Sequence, residues 1–236
     1  MVAVFCLRLG CGLMAALLLL PSAQINPRFY RVQFLTVLGL AAVFLRDQAD
    51  LGLWLALGAA IILAFVGSIV WHVEGSPAGF ALIWLSLPAL IAALLMAGSA
   101  NGDPWFIVDG LASAALLGAA TTAMLMGHSY LIAPAMSLTP LFRLLGALGV
   151  CLLIRMVLAG VCLWLWTGQR GSANLENEMW FLVPVRWGLG LIAPLVLGWM
   201  AWETARIRST QSATGILYVV VILCFLGELT SQLLVM

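Results

Sequence analysis

Residues 51–71 read LGLWLALGAAIILAFVGSIVW, an apolar run of 21 residues without a charged side chain. An α-helix needs about 20 such residues to cross the hydrocarbon core of a bilayer, so this run predicts a transmembrane helix. Eight runs of this kind follow one another along the chain, at residues 2–20, 29–45, 51–71, 80–97, 106–127, 141–166, 180–202 and 215–235. The first run contains Arg8 and is the weakest of them, so seven spans is the alternative count.

The runs are continuously apolar and do not alternate between polar and apolar residues as the strands of a membrane barrel would. Helices satisfy their own backbone hydrogen bonds in lipid, so the sequence predicts an all-α, polytopic transmembrane helix bundle. The breaks between the runs are short and contain proline, glycine and charged residues. None of them has room for a soluble domain, and we expect residues 1–236 to form a single integral membrane domain.

The composition excludes an ordinary soluble protein. Hydrophobic residues make up 64% of the chain, charged residues only 8%, and the mean hydropathy is +1.16. A soluble domain has about a quarter of its residues charged, because it must cover its exterior with polar groups. The expected partner is therefore the lipid bilayer, and the net charge of +1 predicts that the protein does not bind nucleic acid.

Arginine sets the expected orientation, because basic residues concentrate in cytoplasmic loops. The loops after odd-numbered spans hold Arg28, Arg206 and Arg208, with Arg143 counted at the very start of the sixth run and Arg31 just inside the second, whereas the loops after even-numbered spans hold Arg46 and Arg170. We expect the first group to face the cytoplasm, in a bacterial cytoplasmic membrane, with both termini outside if there are eight spans. No basic segment precedes the first run, which favours a retained span over a signal peptide.

The two histidines end the third and fifth runs. His72 lies 21 residues after Leu51, and His128 lies 22 residues after Phe106. Since an α-helix rises by about 1.5 Å per residue, the two imidazoles are predicted to lie at nearly the same depth. Two imidazoles at matched depth on different helices suit bis-histidine haem b or a small metal site. The alternative is that each ring simply lies at the lipid–water interface.

Three further side chains are predicted on the same side of the membrane as the histidines. Glu74 follows His72 closely and would be the third ligand of a metal bound by His72 and His128. Arg206 and Arg208 follow the seventh span and would pair with haem propionates or an anionic headgroup. The alternative for both arginines is an ordinary cytoplasmic anchor.

Asp109, Arg155, Arg186 and Glu228 form a second group of candidate residues, placed within the membrane by the predicted spans. Ionisable residues are costly in lipid and mark functional sites. Arg155 and Glu228 each lie about fourteen residues from the cytoplasmic end of their spans, so they are predicted to meet as a buried ion pair. The pair would either fix the register of two helices, or belong to a polar pocket for a quinone-like or anionic ligand, or form a step in a proton path. Glu228 would be the protonatable member, since arginine stays charged.

Small residues at 118–123 and 146–149 predict that the fifth and sixth spans approach their neighbours closely near the centre of the bundle. The five cysteines lie in apolar runs and form no Cys-x-x-Cys pair, so we expect them to be small buried side chains.

Three classes of function remain open. The sequence contains no phosphate-binding glycine loop, no His-Glu-x-x-His and no Gly-x-Ser-x-Gly, which argues against NTP-driven pumps and hydrolases. The first class is a haem- or quinone-linked subunit of a membrane electron-transfer complex, together with other membrane subunits. The second is a non-catalytic membrane subunit or assembly factor, and the third is a small permease or transporter.

Overall fold

The fold is a bundle of helices, seen in a computed structural model that describes residues 2–21, 24–45, 50–72, 78–99, 104–133, 136–170 and 179–234. These residues form helices and contain no strand, which confirms the predicted fold class. The helices are α1 (Val2–Leu17), α2 (Pro27–Leu45), α3 (Leu51–Val70), α4 (Ala78–Ser99), α5 (Pro104–Ile132), α6 (Thr139–Arg170), α7 (Met179–Pro184), α8 (Ala193–Arg206) and α9 (Thr210–Leu234). A π-helix at Val185–Ile192 joins α7 to α8, so the seventh predicted span is one helix with a widened middle.

Within the described ranges, six helices are long and apolar enough to cross a membrane: Leu51–Val70, Ala78–Gly98, Trp105–Ile132, Thr139–Leu165, Phe181–Arg206 and Thr210–Leu234. The protein is therefore a multi-spanning membrane protein in contact with the lipid bilayer. The helices of the first two predicted spans are not among these six. Helix α1 has only 16 residues, and α2 includes both Arg28 and Arg31 in its first five positions.

Local sequence explains several helix starts. Asp50 caps α3, since its carboxylate accepts a hydrogen bond from the backbone N–H of Leu53 at 2.9 Å. Proline opens α2 at Pro27 and α5 at Pro104, where its missing N–H costs nothing because the first turn of a helix has no partner for it. Helix α5 begins two residues before the predicted run and ends five residues after it, at Ile132. Hydropathy alone did not predict these extra turns.

The centre of the bundle is the contact between α1 and α5. Almost all of α1 is buried, and α1 also packs against α2 and α4, while α5 also packs against α6 and α9. Gly12 and Gly118 meet with their backbones in direct contact, because a Cβ atom on either glycine would collide with the backbone of the other helix. The close approach predicted for the small residues of the fifth span is thus present, and its partner is α1.

The small residues of α6 behave differently. A Cβ atom added at Gly149 would meet open space, and one added at Gly146 would come no nearer than 4.0 Å to Trp202. The close approach predicted at 146–149 is therefore absent, because these glycines do not face a neighbouring backbone.

We predict opposite effects for the same substitution at the two kinds of glycine. Gly118→Ala should lower the free energy of unfolding by about 1–3 kcal/mol, because the new methyl group forces α1 away from α5. Gly149→Ala should be neutral or should stabilise by up to about 1 kcal/mol, because alanine favours the helix and the site is open. Thermal unfolding of the detergent-solubilised protein, followed by tryptophan fluorescence, measures both. Equal melting temperatures for the two variants would refute the α1–α5 contact.

Candidate functional site

Four helices each bring one ionisable side chain to a common site inside the bundle. Arg8 of α1 donates to Asp109 of α5, with Arg8 Nη1 and Asp109 Oδ2 3.1 Å apart. Arg155 of α6 donates to the other oxygen of Asp109 through its Nη1. Arg155 also binds Glu228 of α9 with two parallel hydrogen bonds, Nε to Oε1 at 2.7 Å and Nη2 to Oε2 at 2.6 Å. We call these four residues the charge network.

The charge network is enclosed. The side chains of Arg8, Arg155 and Glu228 are exposed by only 2%, 1% and 3% respectively, and Asp109 is the most accessible member at 13%. Charges removed from water in this way are strongly destabilising unless each has a partner of opposite sign. The contact between Arg155 and Glu228 is bidentate, which is the geometry in which a guanidinium group and a carboxylate bind most strongly.

Several buried polar atoms next to the charge network have no hydrogen-bond partner among the described residues. They are Nε of Arg8, Oγ of Ser113 and both amide atoms of Gln232. Ser113 lies one helical turn after Asp109, and Gln232 lies one turn after Glu228, so each is on the same helix face as a network carboxylate. Ser231 in the same turn already accepts a hydrogen bond from Arg155 Nη2 at 3.4 Å. The site therefore has hydrogen-bonding capacity that no residue in the described part of the chain uses.

The ring of Phe106 lies beside the guanidinium of Arg8, with 5.2 Å from Arg8 Cζ to the ring centroid. Through this cation–π contact, Arg8 has an aromatic neighbour on α5, and Phe106 lies one turn before Asp109 on that helix. It helps to hold Arg8 in place while leaving Nε without a hydrogen bond.

A third arginine, Arg186, lies close enough to Asp109 and Glu228 to interact with both electrostatically. It is carried by the π-helix, and its side chain is only partly buried. No hydrogen bond or ion pair joins it to another residue in the described ranges. With all five groups ionised, three guanidinium groups face two carboxylates, and the site carries one surplus positive charge.

The structure brings together all four intramembrane residues that the sequence singled out, and Arg155 and Glu228 form the expected ion pair. Arg8 was not among the residues predicted for the site. It counted only as a reason to regard the first run as the weakest predicted span. The available signal was the same one that identified the others, since an arginine inside an apolar run needs a partner. Which helix supplies that partner follows from packing, and the sequence does not state it.

The two histidines lie apart from this site, and both side chains are exposed. His72 Nδ1 lies 3.3 Å from Arg31 Nη1 of α2, and no described contact joins His72 to His128. Helix α3 packs mainly on α2 and α4, whereas the strongest contacts of α5 are with α1, α6 and α9.

No described hydrogen bond or ion pair joins Arg206 or Arg208 to either histidine. Arg206 pairs with Glu203 of its own helix at 3.2 Å, and both side chains are exposed. Arg208 lies in the turn between α8 and α9 with a positive φ of 59°. Glu74 lies outside the described residues. Within the described ranges no three histidine, cysteine or acidic side chains form a group that could hold a metal ion.

The fold and this buried site define the chain as a multi-spanning helical membrane protein with an intramembrane charge network. Comparison of the sequence and structure with protein-family models, with curated proteins and with solved structures gives no match.

We predict that Arg155→Leu sharply lowers the yield of folded protein, because among the described residues Arg155 is the only guanidinium that hydrogen-bonds to Glu228. Breaking a buried pair in this way costs about 3–5 kcal/mol. The matched control is Arg143→Leu at the exposed start of the same helix, which should change the yield little. Size-exclusion chromatography of the detergent extract measures the monodisperse fraction.

A second variant separates loss of charge balance from loss of packing. Combining Arg155→Met with Glu228→Gln removes both charges of the buried pair and leaves Asp109 paired with Arg8, so part of the lost yield should return. If this double variant folds no better than Arg155→Leu, the ion pair does not account for the effect of Arg155.

Proposed function

We propose that this multi-spanning membrane protein binds a monovalent oxyanion at the charge network and Arg186, as a small permease does. The observation that carries the proposal is the surplus of one guanidinium group over carboxylates, next to buried donors without partners. A monovalent anion would neutralise the surplus charge and accept hydrogen bonds from those donors.

A purely structural role for the network does not explain the surplus arginine. Holding helices in register needs one cation for each buried carboxylate, and the pair of Arg155 and Glu228 with a single arginine on Asp109 would meet that need. Arg8 and Arg155 already meet that need, and Arg186 is a third arginine within electrostatic reach of the same two carboxylates. Surplus positive charge in a membrane interior costs free energy, and a function that uses it is the simplest reason to retain it.

The chemistry of the unused donors favours an oxyanion. A guanidinium group offers a planar fork that matches the two oxygens of a carboxylate or a phosphate. The amide of Gln232 and the hydroxyl of Ser113 add neutral donors on two other helices. A soluble carboxylate, a soluble phosphodiester and the phosphodiester of a phospholipid headgroup all share this chemistry.

The depth of the site fits entry from one membrane surface. Asp109 is the sixth residue of α5, and Glu228 lies six residues before the end of α9. At about 1.5 Å per residue, both carboxylates lie roughly 8–9 Å inside the ends of their helices. Asp109, the more exposed of the two, would face the entrance. The arginine distribution would put this entrance on the outer face of a bacterial cytoplasmic membrane.

The haem- or quinone-linked electron-transfer subunit remains a hypothesis that the arrangement of residues does not favour. The exposed imidazoles of His72 and His128 share no contact, and the arginines expected near them are engaged elsewhere or lie in a turn. The non-catalytic subunit, held with other membrane subunits, is the alternative that the following experiment separates from anion binding.

Thermal unfolding of the purified protein in detergent tests the proposal. Sodium lactate supplies a soluble carboxylate, sodium dimethyl phosphate a soluble phosphodiester, and micelles doped with phosphatidylglycerol a lipid phosphodiester. At least one of the three should raise the melting temperature saturably, because a ligand at 100 times its Kd stabilises by about 2.7 kcal/mol. Sodium chloride at equal ionic strength and micelles doped with diacylglycerol, which has no phosphate, are the controls.

The pattern identifies the source of the oxyanion. Stabilisation by lactate or dimethyl phosphate indicates a soluble ligand, whose uptake into proteoliposomes then tests transport. Stabilisation by phosphatidylglycerol alone indicates a lipid headgroup. If none of the three exceeds its control, the protein does not bind an oxyanion, and the network belongs to a structural subunit.

A further inference from the structure

Arg186 differs from the other two arginines of the site in what it binds. Arg8 and Arg155 are almost fully buried, and each donates to a carboxylate. Arg186 is partly buried and lies within electrostatic reach of Asp109 and Glu228, and its guanidinium makes no hydrogen bond or ion pair with another described residue. The first two arginines are thus occupied by the protein, whereas the donors of the third are not used by any residue that the structure describes.

The backbone that carries Arg186 is unusual. Val185–Ile192 forms eight residues of π-helix, in which the N–H of Ala193 donates to the carbonyl of Gly188, five residues earlier. Proline flanks the segment on both sides, at Pro184 and Pro194, and neither proline can donate to an α-helical carbonyl. π-Helical segments are rare and recur at functional sites, because the widened turn redirects side chains.

The π-helix is fixed against the two helices that carry the ion pair. A Cβ atom on Gly190 would lie 2.5 Å from Cα of Gly227, so the two backbones touch at the residue directly before Glu228. On the other side, Trp187 packs near Gly160 of α6, with 3.7 Å from the ring to the position that a Cβ atom of this glycine would take. These contacts hold the turn of Arg186 at a defined place beside the network.

We infer that Arg186 is the residue that contacts the bound oxyanion and determines which anions are accepted, an inference that rests on the proposed function. Arg8 and Arg155 position the two carboxylates, and the carboxylates in turn limit the site to a single negative charge. The fork of Arg186 favours ligands with two oxygens in one plane, as in a carboxylate, over spherical anions such as chloride.

The test compares the wild-type protein with Arg186→Gln, Arg186→Lys and the exposed-arginine control Arg143→Gln. Lactate, dimethyl phosphate and phosphatidylglycerol are titrated separately, and affinity is taken from the dependence of the melting temperature on concentration. Whichever probe the wild-type protein binds should bind at least tenfold more weakly to Arg186→Gln and unchanged to Arg143→Gln. Arg186→Lys should fall between them, because it keeps the charge and loses the fork.

A second readout separates contact with the ligand from a structural role. Without ligand, Arg186→Gln should melt within a few degrees of the wild-type protein, since no described ion pair is broken, whereas Arg155→Gln should melt far lower. Equal destabilisation by the two variants would make Arg186 structural and overturn the inference. So would unchanged affinity in Arg186→Gln, or wild-type affinity and selectivity over chloride in Arg186→Lys.

The outcomes also distinguish this inference from the proposal on which it rests. If the wild-type protein binds none of the three probes, oxyanion binding itself is wrong. If it binds one of them and Arg186→Gln binds that probe equally well, oxyanion binding stands and only the assignment of Arg186 fails.

Discussion

The guanidinium of Arg155 holds the bundle to a single arrangement, because it binds Asp109 of α5 and Glu228 of α9 from its own position on α6. A charge at this depth cannot be left without a partner, since water is not available to solvate it. The register of three helices is thereby tied to one side chain, and Arg8 adds α1 as the fourth. Apolar packing alone would fix these registers weakly, because lipid chains compete with apolar side chains for the same surfaces.

Contacts between glycines bring the helices close enough for the charged side chains of the network to reach one another. Gly12 and Gly118 bring α1 and α5 into backbone contact, which lets Arg8 reach Asp109 near the start of α5. A second glycine pair, Gly190 with Gly227, brings the π-helix against α9 beside Glu228. A Cβ atom at any of these positions would push a helix outward and lengthen the ionic contacts. Close packing of backbones and pairing of charges therefore depend on each other in this protein.

The sequence predicted well which segments form helices, and it predicted poorly which helices and side chains meet. Apolar runs predict helices because a helix satisfies its own backbone hydrogen bonds in lipid. The rise per residue predicted that Arg155 and Glu228 lie at the same depth in the membrane. The same counting placed His72 and His128 at one level, yet their side chains are exposed and share no contact. Depth follows from position along a helix, whereas direction and neighbours follow from tertiary packing. For that reason Arg8 counted only as a weakness of the first run, and the π-helix was not foreseen.

The most direct test of oxyanion binding at the network is an experimental structure with 4-bromobenzoate, a monovalent carboxylate whose unreactive aryl bromine can be located by anomalous scattering. The account predicts a bromine peak beside the network, with the carboxylate within hydrogen-bonding distance of the Arg186 guanidinium and of an unpartnered donor such as the amide of Gln232. Arg155 should keep both of its carboxylate partners in that structure. A peak confined to other parts of the protein, with Arg186 directed away from Asp109 and Glu228, would contradict it.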